Sequence, residues 1–95
     1  MNSTQILDTA RQTIRLEADA LAALLPGIDQ GFADAVEAIR LSRGRLVVSG
    51  IGKSAIVAQK IVATLNSTGT PALYMHAADA IHGDLGMVQR DDVVM

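Results

Sequence analysis

Residues 45–55 read Arg45-Leu46-Val47-Val48-Ser49-Gly50-Ile51-Gly52-Lys53-Ser54-Ala55, and this stretch decides the fold. Its first half is short, apolar and β-branched, which predicts a buried strand over 45–49. Gly50-Ile51-Gly52 then supplies a tight turn, because glycine takes backbone angles closed to other residues. From Lys53 to Ser67 the apolar positions, Ile56 or Val57, Ile61 and Leu65, recur at helical spacing. Gly69 closes that helix, and Pro71-Ala72-Leu73-Tyr74-Met75 predicts a second strand. Strand, crossover helix and strand specify a parallel pair with a right-handed connection. The expected class is α/β.

Upstream, residues 3–25 read as a helix, with Ile6, Leu7, Ala10, Ile14, Ala18, Leu21 and Leu25 along one face. Ser3 or Thr4 is the expected cap, and Pro26-Gly27 the stop. Residues 29–42 read as a second helix, with Phe32, Ala35, Val36 and Ile39 sharing a face and Gly44 ending it. The short break between the two predicts an antiparallel helical hairpin. Residues 1–43 are thus expected as a helical hairpin, and 44–95 as the first βαβ unit of a parallel sheet. Residues 77–87 read as an irregular or short-helical connection. Val93-Val94-Met95, after Asp91-Asp92, reads as the start of a third strand. A parallel sheet needs helices on both faces, and one crossover helix is present. The chain is therefore expected to be the N-terminal part of a larger domain, against the alternative of a small protein that completes its sheet by oligomerising.

The chain has 95 residues, 49% of them apolar and 19% charged, with a formal charge of −2, which fits a single foldable domain. Nucleic acid is a poor partner for such a balance, since the lysines are Lys53 and Lys60 and the arginines are scattered. The absence of cysteine excludes disulfides, thiolate metal sites and a cysteine nucleophile. No apolar run approaches the roughly 18 residues that span a bilayer. The polar first 15 residues do not read as a secretory signal. No membrane partner and a cytoplasmic location are expected. With one Phe and one Tyr, the core must be built from Ala, Val, Ile and Leu.

The glycine turn that opens a helix is the first candidate site. Unpaired N–H groups at a helix start attract anions, and Lys53 adds a mobile positive charge. A phosphate loop of the Walker type would need glycine where Val47 stands. Gly50, Gly52 and Ala55 match a dinucleotide fingerprint in letters, but the second strand runs out as Tyr74-Met75-His76-Ala77, and the first acid is Asp79. A bare turn without ligand is the remaining alternative. The second candidate is His82-Gly83-Asp84-Leu85-Gly86, in a loop after a parallel strand, where α/β sheets hold ligands. Asp84 can orient His82 or simply cap a turn. His76 falls at the end of the second strand, on the same edge as Lys53. Two histidines and a lysine on one edge point to a small anionic ligand. Asn66-Ser67-Thr68-Gly69-Thr70-Pro71 reads first as a helix end and a turn into a strand.

Taken in order, Gly50-Ile51-Gly52-Lys53-Ser54, Ser67-Thr68-Gly69-Thr70-Pro71 and His82-Gly83-Asp84-Leu85-Gly86-Met87-Val88 resemble the sugar isomerase (SIS) domain of the arabinose 5-phosphate isomerase family. The resemblance spans about residues 5–95 and is densest from Gly44 onward. It implies interconversion of D-arabinose 5-phosphate and D-ribulose 5-phosphate, the entry to the Kdo sugar of lipopolysaccharide. It also implies a five-stranded parallel sheet, a homotetramer and, in many members, a following CBS pair. By the same resemblance Lys53 is the catalytically important lysine, and His82 a catalytic and substrate-contacting histidine. Gly52, Ser54, Gly69, Thr70 and His76 are substrate contacts. No cofactor is required, and His76 is a site for an inhibitory zinc ion. Two departures stand out. The loop reads Lys-Ser-Ala where many relatives have Lys-Ser-Gly, and Ala-Ala-Asp-Ala-Ile precedes His82 where Pro-Gly-Glu is usual. The family's serine-rich phosphate loop and its glutamates would follow Met95, so the 95-residue chain alone is expected to be inactive. Two other readings remain: a non-catalytic phosphosugar-binding module of a regulator, and a nicotinamide-dependent oxidoreductase, which lacks its ribose acid.

Overall fold

The structure, a computed structural model, describes residues 1–81 and 83–95, and of Asp84 the backbone alone. The chain divides into two compact units, Met1–Asp34 and Ala35–Met95.

The first unit is dominated by α1 (Ser3–Ala22). Its cap is Asn2, one residue before the expected Ser3 or Thr4. The Asn2 carboxamide oxygen accepts from the Gln5 amide at 2.9 Å, and the Asn2 amide donates to the Gln5 side chain at 2.9 Å. This reciprocal pair satisfies two donors that a helix start leaves open. The helix ends at Ala22 rather than 25, and a 3-10 turn follows at Leu25–Gly27. Pro26 explains the early stop, because it has no N–H to donate to the Ala22 carbonyl four residues back and its ring crowds that carbonyl. The second helix, α2 (Gln30–Leu41), starts behind Asp29, whose carboxylate accepts from the Gly31 amide at 3.0 Å.

The second unit carries the sheet. Its elements are β1 (Leu46–Gly50), α3 (Lys53–Ser67), β2 (Ala72–His76), α4 (Ala77–Ile81), a 3-10 turn at Asp84–Met87, and β3 (Val93–Val94). The strand order is β2-β1-β3, and both neighbours run parallel to β1. The expected α/β class and crossover are therefore present. Central β1 is buried over its first three residues, Leu46, Val47 and Val48, while Ser49 and Gly50 are half-buried. Leu46 and Val48 pack with Ala58 of α3, and Ile39, Ile61, Leu65, Tyr74 and Val93 surround them. Val47 alternates with them along the pleat and so serves the opposite face. Burying such an aliphatic side chain contributes about 1.5–3 kcal/mol.

Both long strands lie one residue later than the sequence predicts. Arg45 is excluded from β1 because its amide donates to the Asp92 carboxylate at 2.7 Å instead of joining a ladder. Pro71 has no amide to give, and β2 begins at Ala72. Ala72 is fixed there by Asn66, whose side chain accepts from the Ala72 amide at 2.8 Å and donates to its carbonyl at 3.1 Å.

Arg45 and Asp92 tie the start of β1 to the start of β3. The guanidinium donates to Asp92 at 3.0 Å and to the Met87 carbonyl at 2.8 Å. The Gln89 amide adds a bond to Asp92 at 2.7 Å. The Asp92 side chain is 1% exposed. The Arg45 side chain, followed by the Gln89 and Arg45 amides, holds its carboxyl at about 2, against an ordinary value of 3.8. A carboxyl depressed in the folded state adds stability that is complete above the unfolded value and lost as pH falls through the folded one. Thermal unfolding of the full-length protein between pH 4 and pH 2 is expected to show that loss. Asp92→Asn is expected to lower the melting temperature at neutral pH and to flatten the decline in the acid window. An equally steep decline in the variant would remove Asp92 as its cause.

Candidate functional site

The site forms at the carboxyl edge of the sheet. Parallel register sets Gly50, the last residue of β1, beside His76, the last of β2. From Gly50 the chain turns into α3 through Gly52, which has φ 63° and ψ −136°. That angle pair is open to glycine and costly for any residue with a Cβ. The turn is short because the Ala55 amide donates back to the Gly52 carbonyl at 3.1 Å. No side chain caps α3. Among the described residues the Lys53 and Ser54 amides find no acceptor, as expected of the first turn of a helix.

Lys53 and Ser54 line an open groove of about 390 Å³ with Ser49, Val57, Ile61 and Met95. The ion pairs among the described residues join Arg11 to Asp8, Arg40 to Glu37 and Arg45 to Asp92, so the Lys53 ammonium is uncommitted among them. Open amides, a helix start and a free cation together favour an anion.

His76 stands where β2 passes into α4. Its Nδ1 accepts from the Ala78 amide at 3.1 Å. The Tyr74 ring meets the imidazole edge-on, with centroids 6.4 Å apart and planes at 85°. The Tyr74 hydroxyl is buried and has no hydrogen-bond partner among the described residues. Sequence reasoning did not single out Tyr74. The signal was available, since residues two apart on a strand share a face.

Of the expected site residues, Gly52, Lys53, Ser54 and His76 gather on this edge. His82 lies outside the described residues. Gly69 and Thr70 do not join the others. They precede β2 and sit at the opposite, amino edge, about 13 Å away along five-residue strands. Local structure accounts for both. Gly69 has φ 96°, and the Thr70 amide donates to the Leu65 carbonyl at 2.9 Å, the bond of a Schellman helix end. A cavity of about 510 Å³ is also at that edge, lined by Val36, Ile39, Leu65, Thr70, Pro71 and Val93. Arg40 is the one ionisable residue on its wall. Chemistry needs converging polar groups, which places the candidate site at the smaller groove.

Among the described residues no three His, Cys, Asp or Glu side chains gather closely enough to hold a metal ion. The His76 Nδ1 lone pair is already engaged by Ala78.

The comparisons with known proteins agree with one another. The model of the SIS domain family matches residues 39–95. Arabinose 5-phosphate isomerase KdsD of Pseudomonas aeruginosa is 50% identical over 98 residues, a match that covers all of this chain and 30% of that protein. Arabinose 5-phosphate isomerase GutQ of Escherichia coli K12 is 45% identical over 93 residues, covering 98% of this chain and 29% of its own length. Among solved structures, a protein of E. coli CFT073 in complex with arabinose 5-phosphate superposes with a TM-score of 0.92 at 38% identity, over 99% of this chain and 50% of that one. A sugar-phosphate isomerase homologue from Listeria monocytogenes gives a TM-score of 0.89 at 35% identity, over 99% and 50%. The chain thus spans about 30% of the length of the curated relatives it matches.

Proposed function

This chain belongs to the SIS domain family, and from that membership we propose that it is the N-terminal part of an aldose–ketose isomerase acting on D-arabinose 5-phosphate and D-ribulose 5-phosphate. The observation that carries the reading is the uncommitted Lys53 at an open helix start, on the same sheet edge as His76. Similar proteins are named arabinose 5-phosphate isomerases, and a structural neighbour was solved with arabinose 5-phosphate bound.

Isomerisation of this kind removes a proton beside a carbonyl and passes through an enediolate. Its developing negative oxygen needs fixed positive charge in a site shielded from water. Lys53 supplies that charge from the first turn of α3, where the open Lys53 and Ser54 amides add aligned dipoles. A protonated ammonium cannot accept a proton, so Lys53 acts as the electrostatic partner and not as the base. Gly52 lets the backbone come close to the ligand, and Ser54 adds a hydroxyl. His76 and His82 are assigned to substrate contact, with His82 relaying protons. Gly69 and Thr70, at the amino edge of this chain's sheet, are assigned to substrate contact by the family resemblance alone. We extend to the whole protein the family's homotetrameric assembly, a cytoplasmic location and a place at the entry to Kdo synthesis. Among the described residues no helix is long and apolar enough to cross a membrane.

The test is an isomerase assay on the full-length protein. Formation of D-ribulose 5-phosphate from D-arabinose 5-phosphate is the expected result. Conversion of a different phosphosugar alone would overturn the substrate. Binding of phosphosugars without turnover would favour a regulatory module.

A further inference from the structure

We propose that Asn66 seals the free edge of β2, its side chain standing in for a neighbouring strand and so denying that edge to a second copy of this chain.

β2 lies at one end of the sheet order β2-β1-β3, so one of its two sides is paired. The register tells which backbone groups face that side. The Leu46 amide donates to the Pro71 carbonyl at 2.9 Å, while Leu46 itself stands opposite Ala72. In a parallel ladder a residue bonds to the two neighbours of the residue opposite it. Pro71, Leu73 and Met75 therefore direct their backbone polar groups toward β1. Ala72, Tyr74 and His76 direct theirs outward. An outward row of this kind is a template for another strand.

Asn66 meets the row at its first member. Its Oδ1 accepts from the Ala72 amide at 2.8 Å, and its Nδ2 donates to the Ala72 carbonyl at 3.1 Å. A carboxamide carries the same donor and acceptor as a peptide group, so both outward groups of Ala72 are satisfied. The carboxamide comes from the last turn of α3, and a helix offers no ladder to extend. A second β2 laid along this edge would have to break two hydrogen bonds before making its own. The outward groups of Tyr74 and His76 are bounded by this carboxamide on one side and by the start of α4 at Ala77 on the other.

The helix does not account for an asparagine at this position. Asn66 is exposed in the last turn of α3, and Ala or Lys would favour the helix more. Its contact with Ala72 does account for it. The stretch from Asn66 to Pro71, which reads in sequence as a helix end and a turn, thus also guards the strand that follows.

The experiment uses the full-length protein, with hydrogen exchange read at the Ala72 amide and sedimentation read against concentration. Asn66→Ala is expected to speed exchange at Ala72 about tenfold, the equilibrium worth of a hydrogen bond of this kind. At rising concentration it is also expected to form species larger than the wild-type assembly. Ala72→Pro added to Asn66→Ala is expected to return sedimentation to the wild-type pattern. A proline at the first residue of an edge strand takes one outward N–H away and costs the β1 ladder nothing. Asn66→Asp keeps the acceptor for the Ala72 amide and loses the donor to its carbonyl, and its association is expected to lie between wild type and Asn66→Ala. Unchanged exchange at Ala72 in Asn66→Ala would overturn the contact. Faster exchange with wild-type sedimentation in both Asn66 variants would overturn the guard and leave a structural clip. Association that persists undiminished after Ala72→Pro would overturn the β2 edge as its route.

Discussion

Lys53→Ala is expected to reduce kcat of the full-length protein about 100- to 1000-fold, the usual cost of deleting one preorganised group aimed at a developing oxyanion. The reasoning follows from placement. Lys53 is the first residue of α3, follows a glycine held at φ 63°, and has no acidic partner among the described residues. Its charge is therefore available to a ligand and is not spent on holding the fold. Because Lys53 is exposed, the melting temperature should hardly move, surface substitutions of this kind staying within about 0.5 kcal/mol. Lys53→Arg is expected to recover little, since a planar guanidinium on a longer arm cannot occupy the place of a compact ammonium. Activity within a few-fold of wild type in Lys53→Ala would take the lysine out of the chemistry.

Gly44→Ala is expected to destabilise the second unit by about 1–3 kcal/mol, a large share of the roughly 5–15 kcal/mol that a domain has. A Cβ at Gly44 would stand 2.7 Å from the Asp92 amide nitrogen and closer still to the Asp91 carbonyl. Both neighbours are backbone, and both belong to the segment that Arg45 and Gln89 hold in place. Nothing there can swing aside as a long side chain would. Gly27→Ala is the matched control, because a Cβ at Gly27 meets nothing within 4 Å. That change should be neutral or slightly stabilising, by up to about 1 kcal/mol, through the unfolded chain. Chemical denaturation of the two variants side by side separates a steric cost from a general intolerance of glycine replacement. Equal stabilities would contradict the close approach at Gly44.

Sequence and structure agree most closely where punctuation is strongest. α3 runs from Lys53 to Ser67 as read, because Gly52 and Gly69 both adopt positive φ and leave no choice of boundary. The sheet class was legible for a similar reason, since a β-branched strand and a 15-residue crossover admit few topologies. Weaker signals slipped. Asn2, Ser3 and Thr4 are all good caps, and the reciprocal bond with Gln5 selects Asn2. Gly44 reads as a helix stop, but its closest constraint is the strand lead-in nearly fifty residues later, which no local pattern reveals. The Arg45–Asp92 pair is hidden in the same way. The position of Gly69 and Thr70 could have been deduced: residues that precede a parallel strand lie at its amino edge, away from residues that follow one.

The two neighbours of β1 are reached by very different lengths of chain. Leu46 meets Ala72 after one helix, whereas it meets Val93 after nearly twice as many residues. Closing the longer loop costs more entropy, and contacts distant in sequence form later in folding. The β1–α3–β2 unit is therefore expected to assemble first and β3 to dock onto it afterwards. Hydrogen exchange should preserve that history: the Val93 and Met95 amides, which bond to the Arg45 and Val47 carbonyls, should open at lower free energy than the amides shared between β1 and β2.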